Sequence, residues 1–143
     1  MQINDAAPLV TERNVFIQAL PDAVWKVHTD VRTWSEWNTG IAHAEARDPL
    51  EVGKTFRWKS GGITITSTVL LMQVNERIGW SGKAVGSRAK HLWILTPEAN
   101  GTRVTTRESM EGWLPNVMKF LTPKMLEKSL DAWLQDLKRR VER

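Results

Sequence analysis

Apolar residues recur along the C-terminal end of the chain at the spacing of one helical face. The pattern predicts a helix that begins near Thr122 and Pro123 and continues almost to the C-terminus. A shorter helical run, residues 115–121, precedes it. One amphipathic helix cannot bury its apolar stripe alone, so this helix needs a partner surface. The stripe comprises Leu126, Leu130, Trp133, Leu134, Leu137 and Val141.

Upstream of this helix, hydrophobic and polar residues alternate with a period of two, which is typical of half-buried strands. Phe56 and Trp58, for example, alternate with Arg57 and Lys59. Short turns that contain glycine separate successive strands, and such turns connect antiparallel neighbours. Six strands are predicted here, over residues 41–48, 54–60, 63–74, 78–85, 88–96 and 102–110. In the longest of them, the residues predicted to share one face are Ile63, Ile65, Ser67, Val69 and Leu71.

The N-terminal part of the chain adds one more strand and two short helices. Residues 1–12 have no periodicity and are predicted to be a leader or a strand extension ahead of a single domain over 13–143. Residues 13–20 favour a strand, and helices are predicted over 22–31 and 33–37. The predicted fold is therefore α+β. A strongly curved, seven-stranded antiparallel sheet wraps around the long C-terminal helix, with the two short helices after the first strand.

Composition narrows the classes of function. The chain has no cysteine and its three histidines are scattered, so we expect no metal site and no cofactor. Between Pro115 and Arg143, seven Lys and Arg stand against four Asp and Glu, which accounts for three charges of the total of +4. We interpret this excess as the solvated face of the last helix, with no nucleic-acid partner. The absence of a signal peptide and of a long apolar run predicts a cytoplasmic protein without membrane insertion.

Aromatic usage is unusual, with eight Trp, three Phe and no Tyr. Tryptophan fills a large volume and can line an apolar cavity. Eight tryptophans exceed what packing normally requires in a chain of 143 residues. The excess favours a ligand chamber between the sheet and the C-terminal helix.

The last two strands predict a hairpin that places one histidine opposite one carboxylate. If Leu95 pairs with Val104, His91 faces Glu108 on the inner side of the sheet. Three interpretations remain open. The two side chains form a structural pair in an apolar interior, or they are polar anchors that orient a ligand carbonyl or hydroxyl. In the third they are an acid–base couple, in which desolvation raises the pKa of the carboxyl.

Several short motifs occur in an order that resembles the START-like, helix-grip superfamily (SRPBCC), which includes Bet v 1 allergens, polyketide cyclase/dehydrase-like proteins and Hsp90-activator-like domains. The resemblance covers the chain from about residue 13 to its end and implies the helix-grip fold. It does not select one function, because the fold hosts lipid carriers, hormone receptors, cyclases and co-chaperones. The motifs are residues 19–25, 34–37, 52–56, 91–93, 101–104 and 134–138.

Together these observations predict the binding of a small hydrophobic molecule, such as a lipid, a polyketide or an aromatic metabolite, by a monomer or homodimer. His91 and Glu108 are the expected polar anchors. By analogy with the superfamily's small helices, Trp37 is expected near the mouth of the cavity. The rest of the predicted wall comprises Phe56, Trp58, Ile65, Ser67, Val69, Trp80, Trp93, Thr106, Met118 and Met125.

Two other functions remain open. In an enzyme that resembles the polyketide cyclases or dehydratases, His91 and Glu108 would move protons on a reactive chain. In an interaction module that resembles the Hsp90-activator domain, the tryptophans would fill a solid core and an exposed patch would bind a protein.

Overall fold

A computed structural model describes residues 1–143 and contains seven strands and four helices. The strands are β1 (Leu9–Ile17), β2 (His43–Glu45), β3 (Thr55–Ser60), β4 (Ile63–Gln73), β5 (Arg77–Ala84), β6 (Ser87–Glu98) and β7 (Gly101–Glu111). The helices are α1 (Pro21–Thr29), α2 (Trp34–Trp37), α3 (Trp113–Leu121) and α4 (Met125–Glu142), and a 3₁₀ turn, Val31–Thr33, precedes α2. No helix is both long enough and apolar enough to cross a membrane.

All seven strands form one antiparallel sheet in the order β1-β7-β6-β5-β4-β3-β2. The α+β helix-grip prediction is confirmed. Strands β2 to β7 pair with their neighbours in sequence because the turns between them are short. At Gly61, Gly62 and Gly86 the backbone has positive φ, which glycine adopts without a steric penalty. The chain segment that contains α1 and α2 connects the two edge strands, β1 and β2.

The long helix α4 buries the predicted stripe against the sheet. Leu126, Leu130, Trp133, Leu134 and Leu137 are all buried. Helix α4 contacts the edge strand β1 together with α1 and α2, and α2 in turn contacts β2 at the other edge of the sheet. Burial of each leucine side chain contributes roughly 1.5–3 kcal/mol to stability.

Strand β1 lies closer to the N-terminus than predicted, at Leu9–Ile17 rather than residues 13–20. Its inner positions include Thr11 and Arg13, and these polar residues conceal the period of two in the sequence. Arg13 is accommodated because its guanidinium pairs with carboxylates of α4. Residues before the strand also contact the sheet, since the Asn4 amide donates to Glu111.

Strand β4 contains a bulge that changes which residues face inward. Val69 pairs with Trp80, but the next partner of β5 is Leu71, so one residue is inserted between them. Beyond the bulge Met72 is opposite the fully buried Ile78 and packs against the core. The prediction that Leu71 shares a face with Val69 is therefore wrong, because a single extra residue reverses the alternation.

The hydrophobic core is divided unevenly. The main cluster contains 20 buried residues, among them seven tryptophans, and is centred where α1, α2 and the C-terminal half of α4 cover the sheet. A second cluster contains only Leu9, Leu126 and Leu130, with Met110 and Met118 packed against it. It lies near α3, at the start of α4. Both clusters contribute residues to the wall of a cavity.

Candidate functional site

The cavity has a volume of about 360 Å³ and is enclosed by the inner face of the sheet, by α3 and by α4. A volume of this size accommodates a small organic ligand. Buried residues form its inner part, whereas its outer part includes exposed Gly61, Ile63 and Met125. The inner wall comprises Trp58, Ser67, Trp80, His91, Glu108 and Trp133.

The hairpin of β6 and β7 has the predicted register. His91 is opposite Glu108, Trp93 is opposite Thr106, and Leu95 is opposite Val104. Alternation therefore turns this set inward, while Lys90 and Arg88 on the other face are exposed. The histidine and the carboxylate reach the cavity together because they are a cross-strand pair.

His91 and Glu108 are close but are not hydrogen-bonded to each other. His91 Nδ1 lies 3.6 Å from Glu108 Oε2, which exceeds a hydrogen-bond distance. The other ring nitrogen, Nε2, lies 2.7 Å from the Thr106 hydroxyl oxygen. Only 2% of the His91 side chain and 12% of the Glu108 side chain are accessible. An atom of a ligand could therefore contact both groups at once.

Burial changes the protonation of this pair. Desolvation lowers the pKa of His91 well below its ordinary value, and the nearby His28 lowers it further. Desolvation raises the pKa of Glu108 to about 8. At neutral pH the imidazole is therefore uncharged, and the carboxyl is largely protonated and can donate a hydrogen bond.

Eight of the thirteen predicted ligand-binding residues contribute to the cavity wall, and five do not. Those in the wall are Trp58, Ile65, Ser67, Trp80, His91, Glu108, Met118 and Met125. Those outside it are Trp37, Phe56, Val69, Trp93 and Thr106, all of which are buried in the protein interior.

The five residues outside the wall lie where helices cover the sheet completely. Phe56 contacts the indole of Trp34, with ring centroids 5.5 Å apart, and Trp93 contacts His28 at 4.1 Å. Trp37 belongs to the main hydrophobic cluster rather than to the cavity mouth. Alternation of polar and apolar residues identifies the inner face of each strand. It does not show which residues of that face are packed under a helix and which line the cavity.

Several residues that line the cavity were not predicted from the sequence to do so. Trp133 was predicted to be buried, but the pattern of a helix does not distinguish a cavity wall from a packed core. Asn38 follows α2 in a loop, where no periodic signal exists. Further missed residues include Ile41, Ala89, Leu114, Leu126 and Leu130.

Three polar nitrogen atoms in the wall have no hydrogen-bond partner within the protein. They are Asn38 Nδ2, Trp133 Nε1 and His91 Nδ1. By contrast, Trp58 Nε1 donates to Ser67 Oγ at 3.0 Å, and this leaves the serine hydroxyl hydrogen available. An unpaired buried donor is unfavourable, so each of these groups would be stabilised by a hydrogen bond to a ligand that reaches it.

His28 lies beneath the cavity, inside a group of aromatic rings. Its ring is 4.1 Å from Trp93 and about 6 Å from Trp34, Trp80 and Trp133. Both ring nitrogens lack partners, and burial lowers its pKa to about 3. His28 is therefore a neutral packing residue, separated from the cavity by tryptophan.

Solved structures with this fold include several proteins of low sequence identity. A hypothetical protein from Helicobacter pylori superposes with a TM-score of 0.86 at 18% identity, covering 97% of this chain and 91% of that chain. The Zhui aromatase/cyclase from Streptomyces gives 0.81 at 18% identity, covering 94% and 93%. A START superfamily protein from Mycobacterium smegmatis gives 0.80 at 17% identity, covering 93% and 97%. At these identities the likeness shows the fold alone.

No curated protein matches the sequence. A family model does match it, and the match extends from residue 9 to residue 142, almost the entire chain. With the seven-stranded sheet, the gripped helix α4 and the cavity between them, this match shows that the chain belongs to the family described as polyketide cyclase / dehydrase and lipid transport.

Proposed function

We propose that this protein binds a small hydrophobic molecule, such as a lipid, a polyketide or an aromatic metabolite, in the cavity between the sheet and α4. The observation that carries the proposal is the chemistry of the wall. Tryptophan, methionine and aliphatic side chains surround a space of about 360 Å³, and three residues of this wall carry buried polar atoms without protein partners. Apolar walls with few polar groups are typical of small-molecule sites.

The polar atoms give the bound molecule an orientation. Asn38 Nδ2 and Trp133 Nε1 can donate to a ligand carbonyl or hydroxyl. His91 and Glu108 serve as anchors on the opposite, sheet side of the cavity. The flexible thioethers of Met110, Met118 and Met125 near the mouth adapt to the remaining, apolar part of the ligand.

Titration with a library of lipids and aromatic compounds tests the proposal, using tryptophan fluorescence as the signal and native mass spectrometry to detect a retained molecule. The variant Ala89→Phe inserts a ring into the cavity wall and is expected to abolish binding. Lys90→Ala, on the opposite face of the same strand, is the matched control and is expected to bind normally. No retained mass and no saturable signal in the wild type, or equal binding by Ala89→Phe, contradicts the proposal.

An enzyme of the cyclase or dehydratase type is the second candidate, because the raised pKa of Glu108 lets it exchange a proton near neutral pH. His91 Nδ1, 3.6 Å away, can exchange a proton with the same ligand atom. If the bound molecule turns over, Glu108→Gln is expected to abolish the reaction and to leave binding largely intact. Turnover by Glu108→Gln at the wild-type rate argues against this role.

The Hsp90-activator-like alternative has less support. It requires tryptophans that fill a solid core, whereas Trp58, Trp80 and Trp133 line a cavity. The remaining buried tryptophans do fill the core beneath it.

A further inference from the structure

The wall of the cavity has almost no ionisable side chains, and the only full charge that it can carry at neutral pH is negative. Among the side chains of its wall, only His91 and Glu108 can ionise, and no lysine or arginine is present. His91 is buried and uncharged at neutral pH, since burial depresses its pKa. Glu108 is thus the only wall residue that can provide a full charge, and this charge is negative.

Glu108 has no positive partner within the protein. On β6 its neighbour is His91, and on β1 it is opposite Thr11. The nearby cation of β1, Arg13, already pairs with two carboxylates of α4: its Nη1 lies 2.7 Å from Glu127 Oε1, and its Nε lies 2.8 Å from Asp131 Oδ1. The Glu108 carboxyl is therefore left to interact with whatever occupies the cavity.

Indole rings surround the imidazole that lies opposite this carboxyl. The His91 ring, which is beside Glu108, is 5.3 Å from the Trp80 ring and 5.5 Å from the Trp133 ring. Trp58 is in turn 5.5 Å from Trp133. The faces of indole rings carry partial negative charge and attract cations, most strongly where water is excluded. Carboxyl and indoles together form an environment that favours a positive group and disfavours an anion.

We propose that the cavity selects a hydrophobic molecule that carries a protonated amine, with the ammonium group between Glu108 and the indoles of Trp80 and Trp133. This inference rests on the proposed binding function and narrows its ligand class. A fatty acid or another carboxylate would be buried without a cation, and a hydrogen bond from the protonated Glu108 does not replace that cation, so its binding is penalised. A neutral molecule binds through hydrogen bonds alone.

Binding of an amine is coupled to a proton on Glu108. Without a ligand, burial raises the pKa of this carboxyl to about 8. Below that pH an ammonium group can pair with Glu108 only after the carboxyl has lost its proton. Affinity for an amine therefore increases with pH by up to about tenfold per unit and levels off above the pKa of the carboxyl. The other charged groups on the neighbouring elements, Arg13, Glu127 and Asp131, are already paired with one another.

Three probes of similar shape test the proposal: naphthylethylamine, naphthylethanol and naphthylacetate. Calorimetry at pH 7 on the wild-type protein is expected to show tightest binding of the amine, by about tenfold or more over the alcohol, and weakest binding of the acid. In Glu108→Gln, which has nearly the same shape, the amine and the alcohol are expected to bind about equally. Lys90→Ala is the matched control and keeps the wild-type order.

A second measurement needs no variant. Calorimetry in two buffers of different ionisation enthalpy is expected to show that about one proton is released per amine bound at pH 6.5 and none per alcohol. Equal affinity of all three probes, or a preference for the amine that persists in Glu108→Gln, overturns this inference and leaves the proposed binding function intact. Failure of all three to bind the wild type contradicts the binding function itself.

Discussion

Three titratable side chains are buried among the tryptophans, and their burial makes stability depend on pH in two opposing directions. His28 and His91 have depressed pKa values, to about 3 for His28. The pKa of Glu108 is raised from 4.5 to about 8. On unfolding, each histidine gains a proton below its ordinary pKa of 6.5, whereas Glu108 loses a proton above 4.5. The two effects therefore dominate in different pH ranges.

The free energy of unfolding is expected to reach a maximum near pH 6.5. Between pH 4.5 and 6.5 the unfolded chain binds two protons on the histidines while the folded chain holds one on Glu108, so stability increases with pH. Between pH 6.5 and about 8 only the Glu108 proton remains, and stability falls by about 2 kcal/mol. Urea unfolding at a series of pH values measures this profile.

The variant Glu108→Gln isolates the descending limb of the profile. The free energy of unfolding of this variant is still expected to fall as the pH drops below 6.5, because the histidines cause that decrease. It is expected not to fall between pH 6.5 and 8. A wild-type profile that continues to rise over that range, or a variant that retains the decrease, is incompatible with a protonated, buried Glu108.

The sequence predicts the positions of two of these three residues, His91 and Glu108, better than that of His28. His91 lies opposite Glu108 because a short turn joins β6 to β7 and residues alternate between the two faces of each strand. Both features are local, so they can be recognised in the sequence. His28, by contrast, reaches Trp93 only because α1 folds across the sheet. A contact between residues 65 positions apart leaves no trace in local periodicity, so its burial was not predicted.

At the scale of elements, a buried carboxylate fixes α4 to the loop that follows α2. Asp136 is 4% exposed, and its Oδ2 accepts hydrogen bonds from the backbone and the hydroxyl of Thr39, both at 2.8 Å. Its other oxygen accepts from Arg139. Through these hydrogen bonds Asp136 joins α4 to the loop. The loop residue before Thr39 is Asn38, which is part of the cavity wall.

Replacement of this carboxylate is expected to destabilise the fold more than replacement of an exposed one on the same helix. Asp136→Ala leaves the Thr39 donors unsatisfied and should lower the free energy of unfolding by about 1–3 kcal/mol. Asp131→Ala removes a half-exposed ion pair with Arg13 and should cost about 0–1 kcal/mol. Chemical denaturation of the two variants measures the difference, and equal losses would show that Asp136 contributes no more than a surface pair.

The sequence predicts a helix or strand correctly where hydrophobic residues recur with a single period along its whole length. It misplaces an element where a bulge or an inward-facing polar residue interrupts that period. The stripe of α4 is periodic over its full length, and its buried leucines lie as predicted. In β4 the apolar run from Val69 to Met72 carries no alternation that could reveal the bulge. In β1, Arg13 at an inward position interrupts the pattern, and only its ion pairs with a helix more than a hundred residues away explain it.

For the whole molecule, the cavity separates a well-packed region from a weakly packed one. Helices α1 and α3 both contain nine residues. Helix α1 buries Val24, Trp25 and His28, whereas α3 buries only Pro115. The start of α3 is attached to the β5–β6 turn by a 3.0 Å hydrogen bond from the Leu114 backbone to Gly86. Local stability is therefore expected to be lowest where α3 covers the cavity.

Hydrogen exchange by mass spectrometry measures this difference, with α1 as the matched control for α3. Amides of α3 are expected to exchange roughly a hundredfold faster than those of α1, because few buried contacts oppose the opening of α3. A ligand that fills the cavity contacts Leu114 and Met118 from below, so it should slow exchange in α3 and leave α1 unchanged. Transient opening of α3 would then provide the route by which a ligand enters. Equal protection of the two helices without ligand, or protection of α1 alone on binding, would contradict this route and place the entrance elsewhere on the cavity wall.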